Sequence, residues 1–441
     1  MQLIYILLNK KNEVLFQNSL TGLLLPNPKQ DVDESYGFDS PENDNDFFNE
    51  NCGRQVYRRT IIFQGEFCLA VFDVYDDKKP DAKYIWMNYN NIPDSKVREL
   101  LNHIVQNNYI GNCAPWISPE GFEPYFTWAN EAIKKNGLLI NNKIIQIKNA
   151  YVSSVFIFPT NAGNLFLKIP STVYLNAPQI ERFWSEQTYG LPGFMAISPD
   201  GKAALTYDIV GDSISNDNIS AYEDAMCDWA KKQRLIAQNN TYTDTLRLLP
   251  DCTLQNMVAS FDYFINNLSI LSSWEGSKIG HDKTAKAITK LDTVRSLTDK
   301  LHAYNIPNTL CHGDIRPANM YEKNGRFLLF DWGMSFFSHP FYDLCHLLYV
   351  IRRQLSDVDR DRIAMAYLKE WTVFDSIETL KEAYAIVDQL KFFVMIYQDC
   401  EWLIEIIKAC SKVPECSFDS WLFNRRLYYF SRAFDQFLSE F

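Results

Sequence analysis

The sequence predicts an α+β protein with a strand-rich first half and a helical second half, and three observations carry that prediction. Short apolar runs separated by turn residues recur as far as Gly211. Beyond it, apolar residues fall at helical spacing in segments such as NISAYEDAMCDWAKKQRLIAQ and DKTAKAITKLDTVRSLTDKLHAYN. One island of short strands and tight turns, Thr309 to Gly333, interrupts the helices. A chain of 441 residues has material for roughly two to four domains with buried cores. Its 47% hydrophobic and 22% charged residues are globular values, and 17 Gly with 18 Pro are too few for a collagen-like or low-complexity chain. Lys and Arg number 43 against 54 Asp and Glu, a net charge of -11. That balance argues against a protein that coats nucleic-acid phosphates, which calls for a cationic face. It would suit a cationic small substrate, but simple solubility is the favoured explanation.

In chain order, Leu3 to Leu8 and Val14 to Phe16 read as a hairpin around the turn-rich Lys10 to Glu13. The acidic, Asn-rich stretch between Pro26 and Cys52 reads as a long loop. Strand character returns in Arg59 to Phe63, FCLAVFDVYDD and KYIWMNY, and SKVRELLNHIVQNN follows as a helix behind a Ser cap. This block, 1–110, resembles a Nudix-like fold through its opening strands, the Leu25-Pro26 element and its final helix. That family holds metal on a helix bearing R-E-x-x-E-E, and no such run lies between Leu25 and Ile61, so no pyrophosphatase activity is expected. A regulatory, dimerising or substrate-presenting role is what remains. From Pro115 to Gly137 an amphipathic helix, with Phe126, Ala129 and Ile133 on its apolar side, connects to the next region and closes at Gly137, so 111–148 reads as a connector. VSSVFIF and NLFLKI then form a hairpin across PTNAG, a helix opens near Pro178, and a further turn at Asp200-Gly201 precedes another strand. These make a small lobe, 149–211, ahead of a helical large lobe, 212–441.

The island LCHGDIRPANMYEKNGRFLLFDWG carries the chemistry. Asp314 and Asn319 stand five apart across a Pro-containing loop; an Asn324-Gly325 turn joins MYEK to RFLLF, whose end delivers Asp331. Mg²⁺ takes hard oxygen ligands and keeps part of its shell for phosphate and water, so one amide and one carboxylate suffice as protein ligands. Asn319 and Asp331 fit that role, which leaves Asp314 to accept the proton of an attacking hydroxyl.

H-G-D-x-x-x-x-N followed by D-W-G resembles the aminoglycoside phosphotransferase and choline kinase family over roughly Ala150 to Phe441. AISPDGKAALTYDIVGDSI, NIPNTLCHGD and HPFYDL add to the likeness. The resemblance implies a bilobal kinase-like fold and transfer of the γ-phosphoryl group of ATP or GTP to a hydroxyl of a small molecule. It implies Lys168, in LFLKI, as the phosphate clamp and Glu181, rather than Glu186, as its partner. Backbone from Tyr207 to Val210, including Ile209, would border the nucleotide base, and His312 and Asp343 would organise the catalytic loop. Arg316 and Ala318 replace the second histidine and glycine of many members, so Arg316 is either an internal salt bridge or a contact for phosphate or an acidic substrate. Antibiotics, amino alcohols and sugars are open as acceptors. A catalytically silent nucleotide-binding scaffold is the competing reading.

The ten cysteines form no C-x-x-C pair and read as reduced thiols. With no secretory start and no run approaching twenty apolar residues, a cytoplasmic protein without membrane or nucleic-acid partners is expected, and a homodimer through its first domain is open.

Overall fold

A computed structural model of the chain describes residues 2–19, 22–24, 48, 55–64, 67–74, 84–105, 114–117, 120–150, 152–171, 174, 176–186, 193–208, 212–215, 218–239, 246–273, 279–323, 326–410, 417–418 and 420–440. Its chain forms two compact units.

The first unit comprises Met1–Pro178, Gly193–Asp208 and Glu405–Arg425. Strands β1 (Gln2–Leu8), β2 (Glu13–Ser19), β3 (Gly22–Leu24), β4 (Val56–Gln64), β5 (Phe67–Val74) and β6 (Tyr84–Asn88) build a sheet ordered β17-β4-β5-β1-β2-β3, with β6 on β2 and the edge strand β17 (Ser417–Phe418) arriving from far along the chain. The β1–β2 hairpin is the expected one. Asn12 takes a left-handed backbone at φ 58, and the Asn9 side chain accepts the amides of Lys11 and Glu13. Tyr5, Phe48 and Phe72 fill one face edge-on. Helix α1 (Ser95–Val105) starts one residue differently from the sequence reading: Asp94, not Ser95, caps it by accepting the amides of Lys96 and Val97.

Helix α2 (Glu123–Lys135) buries Tyr125, Phe126, Ala129 and Ile133. It ends as expected, with Gly137 at φ 73 and Leu138 donating back to the Ile133 carbonyl. Its start is later than Pro115, where only a short 3-10 turn forms. A second sheet, all antiparallel, is ordered β10-β11-β9-β8-β7 from β7 (Ile145–Ala150), β8 (Ser153–Thr160), β9 (Gly163–Pro170), β10 (Phe194–Ile197) and β11 (Ala204–Tyr207). The two sheets share one core. Tyr57 from β4 meets Phe126 and Phe156, and the buried Gln146 amide bonds both the N–H (2.7 Å) and the carbonyl (2.9 Å) of Arg58.

The second unit comprises Gln179–Pro192, Ile209–Ile404 and Arg426–Phe441. Its helices are α3 (Ala177–Glu186, begun in the first unit), α4 (Ile219–Gln238), α5 (Leu254–Ala259), α6 (Phe261–Ser273), α7 (Gly280–His302), α8 (Phe341–Val350), α9 (Asp357–Lys369), α10 (Ile377–Cys410) and α11 (Ser420–Glu440). A break at Ser260 separates α5 from α6 within one run of helical apolar spacing. The island folds as two small ladders: β13 (Thr309–Cys311) with β16 (Phe336–Ser338), and β12 (Asp212–Ser213) with β14 (Met320–Lys323) and β15 (Arg326–Leu329). The Asn324-Gly325 turn and the Ile209 to Gly211 segment lie outside the described residues. Among the described residues no helix is long and apolar enough to cross a membrane.

Candidate active site

The site is built where β13 runs out of the core. Gly313 turns the chain at φ 79, and a Cβ there would lie 2.1 Å from the Met334 carbonyl oxygen, so only glycine fits. The turn is pinned by Asp343, at the start of α8. Asp343 accepts the amides of His312 (2.8 Å) and Gly313 (3.0 Å), the Trp229 indole N–H (3.0 Å) and a Gln233 amide hydrogen (3.2 Å). Four donors call for an acceptor-only partner, which is the carboxylate. Burial pushes its pKa up to about 6 against the pull of these bonds, so it is ionised at neutral pH.

His312 is fully enclosed. Its Nε2 faces the Phe330 carbonyl at 3.0 Å and its Nδ1 accepts the Asp314 amide at 3.3 Å, which fixes the Nε2–H tautomer. Burial lowers its pKa to about 4, so it is a neutral strut between the two strands of the site. His346 does similar work with Nδ1 at 3.1 Å from the Ile315 carbonyl.

Beyond the turn, the buried Asn319 donates its Nδ2 to both the carbonyl (2.9 Å) and Oδ2 (3.0 Å) of Asp314. With Nδ2 so committed, the amide oxygen is the end left for a further partner. Arg316 Nε sits 3.1 Å from the same Asp314 Oδ2. Asn319 is also tied to β15, because its carbonyl accepts the Phe330 amide at 3.2 Å. Asp331, next along, adopts a left-handed backbone, φ 65 and ψ 63. A non-glycine residue in that region is strained by about 1–3 kcal/mol, a cost that the surrounding packing must hold. The following Trp332 supplies that packing: its indole N–H donates to the Leu329 carbonyl, and its ring stands 4.5 Å from His312 and 5.1 Å from Trp184. Trp229 closes the cluster at 5.7 Å from both tryptophans.

The structure thus brings Asp314, Asn319, His312 and Asp343 into one hydrogen-bonded loop with Asp331 two residues beyond its strand. Lys168 lies on β9, half-buried, on the face opposite Leu165, Leu167 and Ile169. Glu181 is half-buried on α3, whereas Glu186 is exposed and paired with Arg182 at 2.8 Å. Tyr207 ends β11 and is exposed; Ile209 falls outside the described residues. Among the described residues no three His, Cys, Asp or Glu gather as a ready metal cage. An amide oxygen plus a carboxylate, completed by phosphate and water, still fits a Mg²⁺ site.

Several members of the site escaped the sequence reading. Gln233 joins the Leu310 carbonyl to Asp343 and accepts from the Tyr367 hydroxyl. Asp399, buried on α10, pairs with Arg426, which also reaches Met334, three residues past Asp331. Trp229 and Gln233 sit one helical turn apart in the apolar stripe of α4, and a glutamine inside such a stripe was the available signal.

Residues 262–377 match the phosphotransferase enzyme family. Among solved structures, the chain is similar to a choline/ethanolamine kinase family protein from Mesorhizobium loti at 16% identity, covering 71% of this chain and 98% of that one, TM-score 0.44. It is similar to a choline kinase from Streptococcus pneumoniae at 13% identity, covering 70% and 99%, TM-score 0.46. A macrolide 2'-phosphotransferase from Brachybacterium faecium is similar at 9% identity, covering 64% and 97%, TM-score 0.42. No curated protein matches the chain. The matched residues take in the Gly313 turn, Asp314, Asn319, Asp331 and Asp343. The match lies wholly within the helical half and does not reach the amino-terminal sheet.

Proposed function

We propose that the protein is a Mg²⁺-dependent kinase that moves the γ-phosphoryl group of ATP or GTP to a hydroxyl of a small molecule, with Asp314 as base. The observation that carries this reading is the Asn319 side chain bonded to Asp314, on a loop pinned by Asp343 and followed by a strained Asp331. The acceptor oxygen bonds to the γ-phosphorus as the bond to the bridging oxygen breaks. The electron pair leaves on the nucleoside diphosphate and the hydroxyl proton goes to the Asp314 carboxylate. Asn319 and Asp331 would hold the metal, which offsets charge on the transferring group. Lys168 would bind the donor phosphates with Glu181 orienting it, and backbone near Tyr207 and Ile209 would border the base. The lobes divide as 149–211 and 212–441, with the amino-terminal block presenting substrate or joining two copies.

The test is Asp314→Asn in the full chain. Turnover should fall by at least about a thousandfold while the rise in Tm on adding nucleotide and Mg²⁺ persists. Unchanged turnover removes Asp314 from the role; nucleotide binding by the unaltered enzyme without transfer to any hydroxylated acceptor favours the scaffold reading.

A further inference from the structure

Two carboxylates of the site already carry an arginine. Asp314 is held by Arg316, and Asp399, which feels the charge of Asp314, is held by Arg426. A cationic acceptor would meet a guanidinium at each. Arg316 also rests on Oδ2 of Asp314, the oxygen that Asn319 already uses, and in the reading above an incoming hydroxyl must have that carboxylate. The pair is partly exposed, 45% for the Arg316 side chain and 27% for Asp314, with Nε 3.1 Å from Oδ2. A solvent-exposed ion pair is among the weakest contacts a protein makes. A bidentate fork to a carboxylate or phosphate is much stronger.

We propose that Arg316 selects the acceptor: it occupies Asp314 in the resting enzyme and releases it when an anionic group carried by the acceptor takes the guanidinium. The acceptor class is therefore a hydroxy acid or a hydroxylated phosphate compound, not an amino alcohol or polyamine. This rests on the kinase reading with Asp314 as base. The device gives specificity by exclusion, since an acceptor without an anion leaves the base engaged and one with a cation is repelled.

The experiment uses the full-length enzyme with Mg²⁺ and saturating ATP, and GTP in parallel, without acceptor, so that water is the only nucleophile. Acetate serves as the probe anion. Hydrolysis by the unaltered enzyme should rise about threefold with acetate, the scale of one exposed ion pair. Arg316→Gln should show the raised rate without acetate and no response to it, and Arg316→Lys should restore the low resting rate. The KM for nucleotide should not move in either variant. A resting rate in Arg316→Gln at or below that of the unaltered enzyme, with no acetate effect, overturns the inference. A KM for nucleotide raised about tenfold also overturns it, assigning Arg316 to the donor phosphate. Failure of the kinase reading looks different: the unaltered enzyme then shows neither hydrolysis nor a nucleotide-induced rise in Tm.

Discussion

The two units each bury an aspartate, and they keep it charged by different means. In the amino-terminal sheet Asp73 faces the guanidinium of Arg59 through two contacts, both side chains nearly inaccessible, with Gly121 opposite leaving room for the pair. In the helical unit no cation pairs with Asp343 among the described residues; four N–H groups from a loop, a tryptophan and a glutamine converge on it. Burial raises the pKa of both. A buried ion pair holds two elements together but is no more stabilising than good apolar packing. A carboxylate that gathers backbone amides fixes the conformation of the segment that carries them. The first device suits a scaffold and the second suits the loop that carries Asp314; the helical unit holds both, since Asp399 there pairs with Arg426.

The contrast can be broken by substitution. Asp73→Asn strands a buried guanidinium and should lower stability by about 3–5 kcal/mol, while turnover per folded molecule is unchanged. Denaturant unfolding alongside active-site titration checks this, and loss of turnover would mean the sheet reaches into the chemistry. Titration of His312 gives the next effect. Its folded pKa is about 4 against 6.5 for the free imidazole. As pH falls through that window the unfolded chain takes the proton first, so the stability this group supports is full above pH 6.5 and is lost toward pH 4. Relative to His312→Gln, the unaltered protein should lose about 2–3 kcal/mol between pH 7 and 4.5. Parallel acid limbs for the two proteins would contradict the buried neutral imidazole. Asp343→Asn keeps the shape but turns one oxygen into a donor facing donors, costing about 2 kcal/mol. Here kcat should fall with stability, unlike Asp73→Asn; urea unfolding and initial rates separate the two. Smallest of all, Glu186→Ala breaks only an exposed pair with Arg182 and should shift stability by less than about 0.5 kcal/mol, with kcat unaltered; a large kcat loss would move the lysine-orienting role from Glu181 to Glu186.

Much of this was legible in the residue order, for reasons that differ by region. The β1–β2 and β8–β9 hairpins and the Gly137 stop were readable because local turn chemistry fixes them. Asp314, Asn319 and Asp331 could be picked out as candidates because they fall within a stretch of eighteen residues. The cap of α1 was misplaced by one position because Asp94 and Ser95 are both competent caps and only the backbone decides. The Ser260 break inside an unbroken apolar period was hidden, as was β7. Gln233 and Trp229 meet Asp343 across more than a hundred residues, and Arg426 meets Asp399 between two helices; pairings of that kind come from tertiary packing and leave no local pattern.

The most direct trial of the central claim is mass spectrometry of a metabolite extract incubated with nucleotide, Mg²⁺ and either the unaltered enzyme or Asp314→Asn. The account predicts a hydroxylated compound heavier by one phosphoryl group with the unaltered enzyme alone. The same product from both proteins, or none from the unaltered enzyme while it still binds nucleotide, would contradict it.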